Sequence, residues 1–167
     1  KQHPFDAVLS CIDSRAPTEL LFDQALGDMF SVRLAGNIAS DNAIGSLEFA
    51  AKYLGAKLIL VMGHTSCGAV KAACDDFKDG HIGEIINFIK PSIRHEKSVT
   101  SVDDRCSRNP DFVEKINELN VRHQIETIIR QSDIVDQMLE NHEVGIVGAI
   151  YDLATGKVNF LEDTYQG

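Results

Sequence analysis

The run Leu58-Ile59-Leu60-Val61-Met62 passes from Lys57 to Gly63 without a polar interruption. A half-exposed strand would alternate apolar and polar residues, so an unbroken run of this length predicts a strand covered on both faces, as at the centre of a parallel sheet. The neighbouring segments suit that frame. Ala7 to Cys11 reads as a short buried strand, and Met29 to Leu34 as a second one with Phe30, Val32 and Leu34 in period-2 alternation. Between them, Pro17-Thr18-Glu19 is a helix entry that runs through Leu20, Leu21 and Leu26 to Gly27. After the loop at Gly36-Asn37, Asn42 is expected to cap a helix over Ala43 to Leu54, with Ile44, Leu47, Ala51 and Leu54 on one face and Gly55 beyond its end.

Downstream of the central run the pattern turns helical. Gly68 to Phe77 forms one helix, and Asp79-Gly80 breaks it; Ile82 to Ile93 forms another, interrupted by Pro91. Glu96 to Pro110 is a polar loop, and Phe112 to Leu139 carries a long apolar periodicity broken once near Ser132-Asp133. Val144 to Tyr151 is a strand, Ala154-Thr155-Gly156 a turn, and Val158 to Leu161 the hairpin partner. The order predicts an α/β fold: a mainly parallel central β-sheet flanked by helices, with an antiparallel edge hairpin near the C-terminus. A length of 167 residues with 44% apolar content suits a single domain over residues 1–167.

The formal charge of −9 argues against nucleic acid or an anionic membrane surface as a partner and favours a small or neutral substrate. No apolar stretch approaches the roughly 20 residues of a membrane span. A cytoplasmic protein is expected, although Lys1 in place of Met leaves room for a removed targeting segment. Four cysteines in this length do not resemble a disulfide framework.

Two short clusters carry the chemistry: Cys11-Ile12-Asp13-Ser14-Arg15, and His64-Thr65-Ser66-Cys67 between Gly63 and Gly68. Each follows a buried run and so sits at the C-terminal tip of a strand, where open α/β sheets place their sites. Two thiolates, an imidazole and a carboxylate are the ligand types of a tetrahedral Zn2+ site. With Cys11, His64 and Cys67 as metal ligands, Asp13 is either a fourth ligand that closes the site or a hydrogen-bond acceptor beside an open one. Arg15 can pair with Asp13 through two bonds and pull it off the metal. Taken singly, a strand cysteine is core, an Asp-Ser-Arg loop is a surface turn, and a His-x-x-Cys arises by chance; their joint placement favours a site. Cys74 lies in a helical apolar pattern and reads as an inert thiol, Cys106 as a loop thiol. His3, His81, His95, His123 and His142 have no assigned role.

At these residues the chain resembles the β-class carbonic anhydrases, whose signature is C-x-D-x-R followed about fifty residues later by H-x-x-C. The resemblance extends through Leu26 to Phe30, Val32 to Asn37, Gly45 to Ala50 and Gly63 to Val70, and more loosely to the closing hairpin. It implies reversible hydration of carbon dioxide to bicarbonate and a proton by a zinc-bound hydroxide, with Cys11, His64 and Cys67 as ligands and Asp13 with Arg15 as the orienting pair. It further implies substrate binding by Gln2 and by Phe30; Phe49 stands where many members carry Tyr, so a hydroxyl contact is lost there. A regulated subgroup uses a Trp ahead of the first cysteine, and this chain contains no Trp, which points to the constitutively open type. Members are homodimers or higher homo-oligomers whose sites lie at the dimer interface. The helical arm that wraps the partner in that family has no counterpart ahead of the first strand in these 167 residues. Two other functions fit the same residues: hydrolysis of carbonyl sulfide or carbon disulfide, and a non-catalytic zinc or redox-sensing protein with Asp13 held on the metal.

Overall fold

The apolar run from Leu58 is the middle strand of a five-stranded sheet in a computed structural model that describes residues 2–167. The strands are β1 (Asp6–Ser10), β2 (Met29–Arg33), β3 (Leu58–His64), β4 (Gly145–Asp152) and β5 (Lys157–Gln166), in the spatial order β2-β1-β3-β4-β5. β1 pairs in parallel with β2 and β3, and β3 with β4; β5 closes the edge antiparallel to β4. The helices are α1 (Thr18–Leu21), α2 (Asp41–Glu48), α3 (Gly68–Cys74), α4 (Ile82–His95), α5 (Pro110–Gln131) and α6 (Asp133–Glu140). Among the described residues no helix is long and apolar enough to cross a membrane.

Successive residues of β3 serve different faces, as a strand requires. Ile59 and Val61 pack with Leu47 of α2, Val121 and Ile128 of α5, and Val135 of α6. Leu60 and Met62 pack on the other face with Val8, Ala149 and Tyr151, and with Leu21 and Phe22 around α1. A third cluster joins Cys11 and Cys67 to Val70 of α3, Ile89 of α4 and Phe112 and Ile116 of α5. The helical layer is therefore thick on one face, and α1 with its flanking loop covers the other.

Two glycines let α5 approach the sheet. A Cβ on Gly63 would come within 2.9 Å of the Val121 side chain, and one on Gly148 within 2.7 Å of it. Neither glycine has a positive φ, so their requirement is space.

The structure shortens the expected first helix. Only Thr18–Leu21 is helical, because Asp23 and Gly27 take positive φ and Leu26 is 98% exposed, leaving no buried stripe to extend it. The next helix starts at Asp41, earlier than Ala43, and its cap is Ser40 rather than Asn42: Ser40 Oγ accepts the Ala43 N–H at 3.4 Å. It changes at Phe49–Tyr53 into a wider π-helical turn, which stops before Gly55 at φ 86°. Pro91 does not end α4, which runs on to His95. The break near Ser132 is as expected, with Ser132 Oγ accepting the Val135 N–H at 3.0 Å to cap α6. The hairpin partner is longer than Val158 to Leu161, with an irregular register near Ile146 and Gly148.

Gly148→Ala is expected to destabilise the protein by about 1–3 kcal/mol through overpacking against Val121, measured by urea unfolding. Val121→Ala in that background should recover part of the loss; strict additivity of the two changes would show that they do not meet.

Candidate metal centre

Parallel pairing brings the two clusters together. Ser10 is level with Met62 in the β1–β3 register, so both strands run out at the same end of the sheet. Cys11, just past β1, is 5% exposed, and its Sγ lies 4.0 Å from Cys67 Sγ. The Gly36 N–H points at Cys11 Sγ at 3.4 Å. Gly36 has φ 70°, and a Cβ there would meet Ile89 Cδ1 at 2.7 Å, so glycine is what admits this N–H to the sulfur. Asn120 of α5 donates to the Gly36 carbonyl at 2.9 Å and fixes the turn from behind.

His64 closes β3 and is 1% exposed. Its Nδ1 lies 2.9 Å from the Thr65 carbonyl, which can only accept, so Nδ1 carries the proton and Nε2 presents a lone pair. That Nε2 is buried and makes no hydrogen bond. Cys67, 1% exposed, stands at the N-terminal boundary of α3. The ligand atoms of Cys11, His64 and Cys67 all lie within 4.8 Å of one another. Two sulfurs at about 2.3 Å from a tetrahedral zinc would be about 3.8 Å apart, close to the spacing found. An orphaned imidazole nitrogen facing two sulfurs therefore fits a zinc ion.

The thiols titrate as a pair. The Cys67 S–H beside it, with the Gly36 N–H, holds the Cys11 thiol well below the usual thiol range against the effect of burial. Cys67 is pushed up by the same contact and by burial. A metal ion bound by both sulfurs as thiolates releases their protons on binding. Cys74 stands apart: burial pushes its thiol up to about 12, which fits an inert role.

Asp13 and Arg15 form a closed fork. Arg15 Nη2 donates to Asp13 Oδ2 at 2.7 Å and Arg15 Nε to Oδ1 at 2.9 Å, while the Arg15 backbone N–H adds a third bond to Oδ1 at 3.0 Å. The guanidinium holds the Asp13 carboxyl well below the usual carboxylate range. Asp13 Oδ2 is 3.8 Å from His64 Nε2, so the carboxylate stands beside the ligand cluster. Arg33, to which the sequence assigned no role, clamps this loop: Nε donates to the Cys11 carbonyl at 3.0 Å and Nη2 to the Asp13 carbonyl at 2.6 Å.

Phe30 and Phe49 lie together, lining an open groove of about 830 Å³ between β2 and α2 that also includes Arg33. None of the three ligands lines it. Gln2 is at the far end of β1, where the His3 N–H bonds the Gly27 carbonyl at 3.2 Å. The nine residues from Gln2 to Cys11 span about 30 Å of extended chain, so Gln2 does not meet its own chain's cluster.

The chain matches the carbonic anhydrase family over residues 7–158. It is 32% identical over 164 residues to carbonic anhydrase 2 of Mycobacterium tuberculosis, covering 93% of this chain and 73% of that protein. It is 35% identical over 165 residues to the carbonic anhydrase of Mycolicibacterium smegmatis, covering 94% and 74%. The β-carbonic anhydrase of Coccomyxa, solved with acetazolamide, superposes at a TM-score of 0.81 with 29% identity, over 96% of this chain and 73% of that one. The chain belongs to the β-class carbonic anhydrase family. A tetrameric β-carbonic anhydrase of Sordaria macrospora shares the fold of this carbonic anhydrase at a TM-score of 0.84 with 23% identity, over 96% of this chain and 82% of that one.

Elemental analysis of the purified carbonic anhydrase should find one zinc per chain, lost in Cys11→Ala, His64→Ala and Cys67→Ala and kept in Cys74→Ala. Zinc retained by all three ligand variants would refute the assignment.

Proposed function

We propose that this carbonic anhydrase hydrates carbon dioxide reversibly to bicarbonate and a proton, with zinc held by Cys11, His64 and Cys67. When bound, the metal supplies a Lewis acid that acidifies water at neutral pH. The observation that carries the reading is the carboxylate of Asp13, held through both oxygens by Arg15 while standing 3.8 Å from the orphaned His64 nitrogen.

The chain's own residues account for orientation. Asp13 is kept ionised by Arg15, so it can only accept; it takes a hydrogen bond from the attacking water and turns the lone pair of that oxygen towards the carbon of carbon dioxide. The new bond joins that oxygen to the carbon, one proton of the water leaves to buffer, and bicarbonate departs. Arg15 also works against a closed four-ligand site, because the oxygen that would reach the metal is already engaged in a charge-assisted bond. A protein that used Asp13 as a permanent ligand would gain nothing from this fork.

Gln2, Phe30 and Phe49 are proposed to contact substrate in a homodimer. Gln2 cannot reach its own site across the length of β1, so its role requires a second copy of the chain. The groove holding Phe30, and Phe49 at 56% exposure, offers that copy an apolar face. The absence of Trp supports the open type, in which Asp13 stays with Arg15 at neutral pH.

Arg15→Ala and Asp13→Asn should keep their zinc while stopped-flow hydration of carbon dioxide falls by about 10- to 100-fold, the range found when a partner of a metal site is removed. Unaltered activity in Arg15→Ala would overturn the role given to the fork.

A further inference from the structure

The loop between His64 and Cys67 is held from outside by a residue of α5. We propose that Glu114 is a positioning residue for the second ligand loop, setting Cys67 against His64 through the backbone N–H of Ser66; this rests on the reading of the cluster as a zinc site.

Thr65 and Ser66 separate the two ligands, and each is tied differently. The Thr65 N–H donates to the Tyr151 carbonyl at 2.9 Å, and Thr65 Oγ1 accepts the Leu153 N–H at 3.0 Å, so Thr65 is fixed to the end of β4. Ser66 has φ 56°, in the left-handed region that a residue with a side chain rarely enters. This turn redirects the chain from the strand into α3 and brings Cys67 Sγ back towards Cys11. Its N–H donates to Glu114 Oε1 at 2.8 Å, and the other carboxylate oxygen accepts from Asn117 Nδ2 at 2.8 Å. The carboxylate thus has one oxygen on the ligand loop and one on its own helix.

The platform is rigid. Phe112, Val113 and Ile116, on either side of Glu114, are fully buried and pack in the cluster that contains both ligand sulfurs. Glu114 therefore transmits the position of α5 to a strained residue one bond from a ligand, as outer partners of metal sites do. Ser66 itself is exposed. Water can satisfy its N–H if Glu114 is removed, but water cannot hold the left-handed turn in place. The expected effect is a looser ligand set on an intact fold.

The test measures the apparent zinc dissociation constant by chelator competition, alongside the melting temperature of the metal-free protein, for the unaltered chain and for Glu114→Ala, Glu114→Asp and Glu114→Gln. Removal or shortening of the acceptor in Ala and Asp should weaken zinc by about 10- to 100-fold with the metal-free melting temperature close to that of the unaltered chain. Gln keeps an acceptor oxygen at the same reach and should restore binding to within a few-fold. If Glu114→Ala fails to fold, Asp carries the same test. Zinc binding unchanged in Ala or Asp, or Gln as weak as Ala, would overturn the proposal. An unaltered chain that binds no zinc would overturn the reading of the site itself, and with it this inference.

Discussion

β1 and β3 lie side by side and run in the same direction, and everything at the metal centre follows from that adjacency. A parallel pair ends its strands at one edge of the sheet, so Cys11 and His64, far apart in sequence, emerge as neighbours. An antiparallel pairing of the same segments would put them at opposite ends. α1 links β1 to β2 and α2 carries the chain from β2 across β1 to β3, so the three strands run in one direction, and the buried apolar runs of β1 and β3 hold the register.

Around this edge the protein mixes two kinds of surroundings. The two sulfurs are buried among aliphatic side chains and the imidazole is buried beside them, which sharpens each polar contact they make. The Asp13–Arg15 pair stands half outside this cluster, with the Arg15 side chain 60% exposed. Ion pairs of such exposure contribute little to folding stability. Their effect here is directional: three bonds from one residue fix both oxygens of the carboxylate that stands beside the cluster. Arg33 on the Cys11 loop and Glu114 on the Ser66 loop do the corresponding work on the backbone, one from β2 and one from α5.

The strands, the Cys11, His64 and Cys67 cluster and the Asp13–Arg15 pair were readable in the sequence because each is a local pattern: an unbroken apolar run, or polar residues placed directly after one. The helix expected through Leu26 stops at Leu21: apolar spacing does not reveal burial, and Leu26 faces solvent. Asn42 and Ser40 are both competent caps, and the first helical residue decides between them. Arg33, Asn120 and Glu114 carry no local signal because they act across the fold on residues remote in sequence. Gln2 is instructive in a different way. Its distance from Cys11 along an extended strand could be counted from the sequence alone, and that count already separates it from its own chain's site.

The proposed mechanism depends on Arg15 holding Asp13 away from the metal. A crystal structure of the zinc-loaded protein at neutral pH tests this directly. The predicted result is a metal bound by Cys11, His64 and Cys67, with Asp13 still paired to Arg15 through both oxygens. A carboxylate oxygen of Asp13 at about 2.0–2.2 Å from the zinc, the bonding distance of a carboxylate ligand, with Arg15 turned away, would contradict it.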